Sequence, residues 1–161
     1  MARKYATART VDRDELLEFL RPRRRGMLAT TRRDGRPQLS PVSCGVDPDG
    51  RIVIATYPRR AKSVNAKADD RVSICVQGSV WNDEYVQVDG RAEVLDMPDA
   101  LDGLVEYFRS ISGEHPDWDE YRDAMRAQDK SLLRITIERW GPIATGGFPP
   151  ELAADDDRSP R

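Results

Sequence analysis

The sequence predicts a mainly β protein, a small six-stranded antiparallel barrel with peripheral helices. Two observations carry this. About six strand-like segments are joined mostly by hairpin turns, and only two of the gaps between them hold a helix, too few for a doubly wound parallel sheet. The length, 161 residues, suits one domain that buries its own core without disulfide or metal staples.

The first element is a helix over 12–24. Asp12 can cap it, Glu15 completes a capping box, and Val11 can staple onto Leu16. Leu16, Leu17 and Leu20 form its apolar stripe, with Phe19 at the edge, and Pro22 followed by Arg23-Arg24-Arg25-Gly26 ends it. From Met27 the period changes to that of strands. Met27–Thr31 and Pro37–Val46 are joined by the turn Arg33-Asp34-Gly35-Arg36, and Asp47-Pro48-Asp49-Gly50 leads into the strand Arg51–Thr56. Tyr57–Arg60 is a loop, because Pro58 cannot continue a central strand. Ala61–Ala68 is a short helix. Arg71–Gln77 and Glu84–Leu95 are strands, the second alternating Tyr85, Gln87 and Asp89 with Val86 and Val88.

Pro98 opens a helix with Leu101, Leu104, Val105, Phe108 and Ile111 on one face. Asp117–Gln128 is a polar helix anchored by Trp118, Tyr121 and Met125, and Leu132–Ile137 is the last strand. The organisation is one domain over 1–148, with the barrel in 26–140 and two helices within 98–128. Residues 149–161 read as a disordered acidic tail.

Composition excludes several chemistries. One histidine and two cysteines cannot supply a zinc site, a disulfide framework or a Ser-His-Asp constellation. Cys44 and Cys75 read as small buried hydrophobes, His115 as a surface residue, and Trp118 and Trp140 as packing anchors. The apolar runs are too short to span a bilayer, and the polar opening of the chain lacks a signal-peptide pattern, so the expected location is the cytoplasm with no membrane partner. The net charge is −2, and the basic residues lack interleaved aromatics, which argues against nucleic acid. Of the 26 basic residues all but four are arginine. They are spread along the whole chain, as a GC-rich genome would leave them. Arg21, Arg23, Arg24 and Arg25 read as a solvated helix end.

The segment Thr56-Tyr57-Pro58-Arg59-Arg60-Ala61-Lys62-Ser63-Val64-Asn65 stands apart. It leaves a strand and enters a helix, and it crowds Arg59, Arg60 and Lys62 beside the free amides of the helix start. That pattern makes an anion site: arginine offers a two-pronged fork to phosphate, lysine a mobile point charge. Thr56 and Asn65 can add neutral hydrogen bonds. The alternative is a loop whose cations face only water.

Three stretches then act together: Gly26-Met27-Leu28-Ala29-Thr30-Thr31, Asp34-Gly35-Arg36-Pro37-Gln38-Leu39-Ser40-Pro41-Val42, and Thr56 with Arg60, Lys62 and Asn65. The chain resembles, from about Asp12 to Trp140, the pyridoxamine 5'-phosphate oxidase-like split β-barrel flavoproteins. More narrowly it is similar to the branch that binds the deazaflavin coenzyme F420 in place of FMN. The resemblance implies an FMN-binding type of split barrel and a homodimer with cofactor sites at the interface. It places Gln38, Ser40, Pro41 and Val42 along the ring system. Thr56, Arg59, Arg60, Ala61, Lys62 and Asn65 would surround the phosphate end, and Trp81 or Tyr85 would close the site from the neighbouring subunit. Its cationic helix end at Arg21–Arg25 would attract the anionic cofactor tail. Ala66 stands where the family usually has leucine, and Tyr57-Pro58 matches no family pattern. The implied activity is hydride transfer from reduced deazaflavin to an unsaturated small-molecule substrate. The rival readings are an FMN-dependent oxidoreductase and a non-catalytic carrier of deazaflavin, flavin or haem. Cofactor chemistry of this kind needs no catalytic histidine, cysteine or metal from the protein.

Overall fold

A computed structural model describes residues 3–153 of the chain. It begins with β1 (Thr7–Arg9) and α1 (Arg13–Leu20), followed by β2 (Arg25–Thr31), β3 (Pro37–Ser43), β4 (Gly45–Val46) and β5 (Ile52–Thr56). Then come α2 (Ala61–Ala68), β6 (Arg71–Gln77), β7 (Tyr85–Leu95), α3 (Leu101–Ser112), α4 (Trp118–Ala127), β8 (Ser131–Trp140) and β9 (Ile143–Thr145). The strands form one antiparallel sheet in the order β3-β2-β6-β7-β8-β5-β4, with β9 joining β1 to β7. The two ends of that order, β3 and β4, are separated in sequence by Cys44 alone. The sheet therefore curls on itself into a barrel, which removes most of its free edges.

Nine strands replace the expected six, and the difference is local. The segment read as one strand over Pro37–Val46 bends at Cys44 into β3 and β4. Gly45 permits the bend to be covered closely, since a Cβ there would lie 2.0 Å from Ser110 Oγ on α3. The short strands β1 and β9 were unexpected because Thr7–Arg9 is polar and exposed. They pair with each other (Thr7↔Thr145, Arg9↔Ile143), and short edge pairing of this kind depends on what the fold brings alongside.

The first helix follows its sequence signals. Asp12 Oδ1 accepts the Glu15 amide at 2.9 Å, and Glu15 Oε1 accepts the Asp12 amide at 3.4 Å. Leu16, Leu17, Phe19 and Leu20 are buried. The helix stops at Leu20, shorter than the 12–24 read from sequence, because Pro22 forbids continuation.

Two apolar clusters result. The larger fills the barrel with α1 residues, Leu28, Ile52, Ile54, Ile74, Val86, Val88, Leu133 and Ile135. The smaller lies outside the barrel wall, where Val53 and Leu132 meet Leu104, Val105 and Tyr121 of the α3–α4 hairpin. Strands β5 and β8 are thus buried on both faces here. Cys44 is buried and its thiol is pushed up to about 11 by burial, so it stays protonated. Trp140 is an anchor, as expected: its Nε1 donates to the Val11 carbonyl at 2.9 Å. His115 departs from the surface role. Its ring stands 5.1–5.7 Å from those of Phe108, Tyr121 and Trp118, and its Nδ1 accepts the Asp117 amide.

Pro150–Leu152 forms a 3-10 turn; the rest of the expected tail, 154–161, lies outside the described residues. Among the described residues no helix is long and apolar enough to cross a membrane.

Candidate functional site

Between the barrel edge and the α3–α4 hairpin lies a groove of about 500 Å³. Pro41, Val42, Ser43, Ala55 and Lys62 line one side, and Tyr107, Phe108, Tyr121 and Met125 line the other, with Gln128 and Lys130 completing it. Its size lies within the usual range for small-molecule sites, and its apolar walls with few polar groups fit that class.

The cationic end is built by the turn into α2. Arg60 is extended (φ −65°, ψ 144°) and accepts the Ser63 and Val64 amides at 3.0 Å. The amides of Ala61 and Lys62 open the helix without intrahelical partners. The loop before it is fixed from below. Ser63, fully buried, donates to the Tyr57 carbonyl at 2.7 Å and shares a 3.2 Å hydrogen bond with Thr56 Oγ1. The far end of α2 is tied down by Lys67, 2.5 Å from Asp96, whose other oxygen accepts from Ser131. Those two donors hold the Asp96 carboxyl below its ordinary range.

Many arginines elsewhere pair with carboxylates, among them Arg51 with Asp47, Arg71 with Asp69, Arg91 with Asp70 and Glu138, and Arg134 with Glu93. Among the described residues, Arg59, Arg60, Lys62 and Lys130 have no such partner. Lys130 Nζ instead lies 4.4 Å from the centre of the Tyr57 ring, and the Arg60 guanidinium is 5.7 Å from it. Burial, helped by Arg60, lowers the pKa of Lys62. A half-buried ammonium without a counter-charge is costly, and an anion would relieve it.

The predicted site residues fall into five places. Pro41, Val42 and Lys62 line the groove together. Gln38, Ser40 and Asn65 lie instead in a hydrogen-bonded chain across β3, β2 and α2. In it Asn65 Nδ2 donates to Thr30 Oγ1 (3.2 Å), Thr30 donates to Gln38 Oε1 (3.1 Å), and Gln38 Nε2 donates to Ser40 Oγ (2.8 Å). Thr56 is 2% exposed and turned to Ser63, so it shapes the loop. Arg59, Arg60 and Ala61 are exposed beside the helix start. Trp81 is 90% exposed on the hairpin between β6 and β7 and does not line the groove of its own chain. The groove residues that sequence reading did not assign to the site are Ser43 and Ala55 on the barrel side and those of α3, α4 and the turn before β8 on the other. Lys130 is 68 positions from Lys62, and only tertiary packing brings the two to one groove.

The curled antiparallel sheet with few helices is that of a split β-barrel. The chain belongs to the pyridoxamine 5'-phosphate oxidase family, whose model matches residues 12–144. Solved structures agree with the fold. A conserved hypothetical protein from Mycobacterium tuberculosis is 26% identical with a TM-score of 0.70, over 87% of this chain and 89% of that one. A FAD-binding protein from Mesorhizobium loti is 23% identical (TM-score 0.60; 86% of this chain, 99% of that one). An F420 reductase is 21% identical (TM-score 0.57; 77% and 94%).

Proposed function

We propose that the protein is an oxidoreductase that binds coenzyme F420 in this groove and passes hydride from its reduced form to an unsaturated organic substrate. The observation that carries the reading is the pair of cations without carboxylate partners, Lys62 and Lys130, that line an aromatic-walled groove, with Arg59 and Arg60 exposed at the turn before α2. A phosphate-bearing planar ring matches both halves. When bound, such a ring supplies the hydride; the chain binds, orients and excludes water. Lys62 and the α2 amides would hold the phosphate. Val42, Ala55, Phe108 and Met125 would give the ring an apolar bed. Family membership and the flavin- and F420-named neighbours in the same fold support a cofactor of this kind.

The test is fluorescence titration of F420 and FMN into the purified protein, followed by oxidation of reduced F420 with a panel of unsaturated acceptors. Tight F420 binding with acceptor turnover is expected. Preferential binding of FMN would replace the cofactor, and binding without turnover of any acceptor would make the protein a carrier.

The same reading includes a homodimer. On the outer face of the barrel Leu39 lies beside Ala29, and Pro41 beside Met27 and then Cys75. Leu39 is 59% exposed and Met27 37%, an apolar strip that a second copy would cover. Pro41 belongs both to that strip and to the groove lining, so the covering copy would also close the groove. Trp81 or Tyr85, both exposed, would reach across from the neighbouring copy. Sedimentation should show a dimer at micromolar concentration, with Leu39→Asp shifting it toward monomer. A stable wild-type monomer that still binds cofactor tightly would overturn the arrangement.

A further inference from the structure

Tyr107 is the one groove tyrosine whose hydroxyl has no hydrogen bond among the described residues. Tyr121 beside it gives its proton to the Leu104 carbonyl at 2.8 Å. The Tyr107 ring is half-buried against the smaller apolar cluster, and its side chain lines the groove. The hydroxyl is not sealed off, since the fully buried side-chain polar atom that lacks a partner among the described residues is Arg23 Nε. It is therefore accessible, on a side chain that lines the groove.

Tyr107 lies near Cys44, at the β3–β4 bend, closely enough for that thiol to help raise its phenol. The register Val46↔Ile52 and Gly45↔Val53 carries β5 past that bend to Thr56, where the turn to Lys62 starts. Lys62 and Tyr107 both line this groove, one a cation and the other a neutral donor.

We propose that Tyr107 donates a hydrogen bond to an acceptor on the edge of the flat ring whose phosphate end is held at Lys62. The inference rests on the cofactor reading given above. Flavin-type rings carry carbonyl oxygens along one edge, and those need donors when water is excluded. Burial and the Cys44 thiol push the Tyr107 phenol up, so it keeps its proton at neutral pH and acts as a donor. The rest of the groove wall near it is apolar, so this hydroxyl is placed to set the ring's orientation.

Riboflavin has the ring but no phosphate and therefore separates recognition of the ring from recognition of the phosphate. Riboflavin, FMN and coenzyme F420 are titrated by fluorescence into the wild type, Tyr107→Phe and Lys62→Ala. Tyr107→Phe should weaken all three by a similar factor, roughly three- to tenfold, and should shift the absorption band of bound riboflavin. A merely structural tyrosine would not move that band. Lys62→Ala should weaken FMN and F420 and leave riboflavin unchanged. Thermal melting checks the fold, and Tyr107→Met repeats the titration if the phenylalanine variant melts early. Wild-type binding with unchanged affinities and unchanged spectra in the Tyr107 variants would overturn the assignment while leaving the cofactor reading intact. If the wild type binds none of the three ligands, the cofactor reading fails and this assignment fails with it.

Discussion

Lys62→Ala is expected to weaken coenzyme F420 binding roughly ten- to a hundredfold, since a hydrogen bond to a charged partner contributes about 1.5–3 kcal/mol. The groove supplies the reason for expecting the upper part of that range. Lys62 is half-buried and without a carboxylate partner, so an incoming phosphate is not in competition with an existing salt bridge. Arg60→Lys should also lose affinity, because an ammonium cannot reproduce the two-pronged fork. The pH dependence follows from the sign of the Lys62 shift. Burial and Arg60 hold its pKa below the ordinary lysine value, so affinity should fall as pH rises through that lowered pKa. In the free protein the sign is opposite: a base with a lowered folded pKa binds its proton better when unfolded, so its charge costs stability below that pKa. Lys62→Ala should then melt no lower than the wild type while binding F420 far less well. Titrations across pH together with melting curves check both halves, and equal dissociation constants for wild type and variant would leave only a solvated basic loop.

The second large effect is on stability. Leu133→Ala is expected to destabilise the protein by about 3–5 kcal/mol, the upper range for truncating a leucine in a packed core. Leu133 is fully buried in the barrel interior, while its neighbour Leu132 is fully buried on the other face against the α3–α4 hairpin. A strand gripped on both faces cannot relax far into the cavity, which keeps the cost high. The melting temperature should fall by roughly 6–20 °C, at two to four degrees per kcal/mol. Val64→Ala makes the contrast: Val64 is 52% exposed on α2, and alanine is the better helix former, so that variant should match the wild type. A shift of only one or two degrees in Leu133→Ala would mean that the barrel interior repacks around the missing atoms.

The Tyr57-Pro58 pair, which fits no family pattern, has a physical place in the structure. Pro58 ends β5 on time, and Tyr57 puts a ring beneath Lys130 and Arg60, holding two cations at the groove without neutralising them. The sequence showed the cations of the 56–65 segment because they are adjacent in the chain. It could not show Lys130, because no local pattern ties the turn after α4 to the turn before α2. The same limit applies to Tyr107. Its helical spacing marks it as a residue of an amphipathic helix, and only the path of that helix over β5 reveals that its side chain lines a groove.

The residues that local rules govern were legible in the sequence alone. The Asp12–Glu15 capping box, the hairpin turn at Asp34-Gly35, the stop at Pro58 and the Val86/Val88 alternation each depend on neighbours within a few positions, and each stands in the structure. Tertiary structure decided the rest. It broke Pro37–Val46 at Cys44, because α3 packs onto Gly45. It recruited the polar segment Thr7–Arg9 as a strand, because β9 offered an edge. It drew Thr56, Gln38, Ser40 and Asn65 into internal hydrogen bonds, since a buried polar group must find a partner wherever the fold leaves one. Sequence spacing states which groups are near along the chain; which of them stay free for a ligand is settled only when every buried donor and acceptor has been paired.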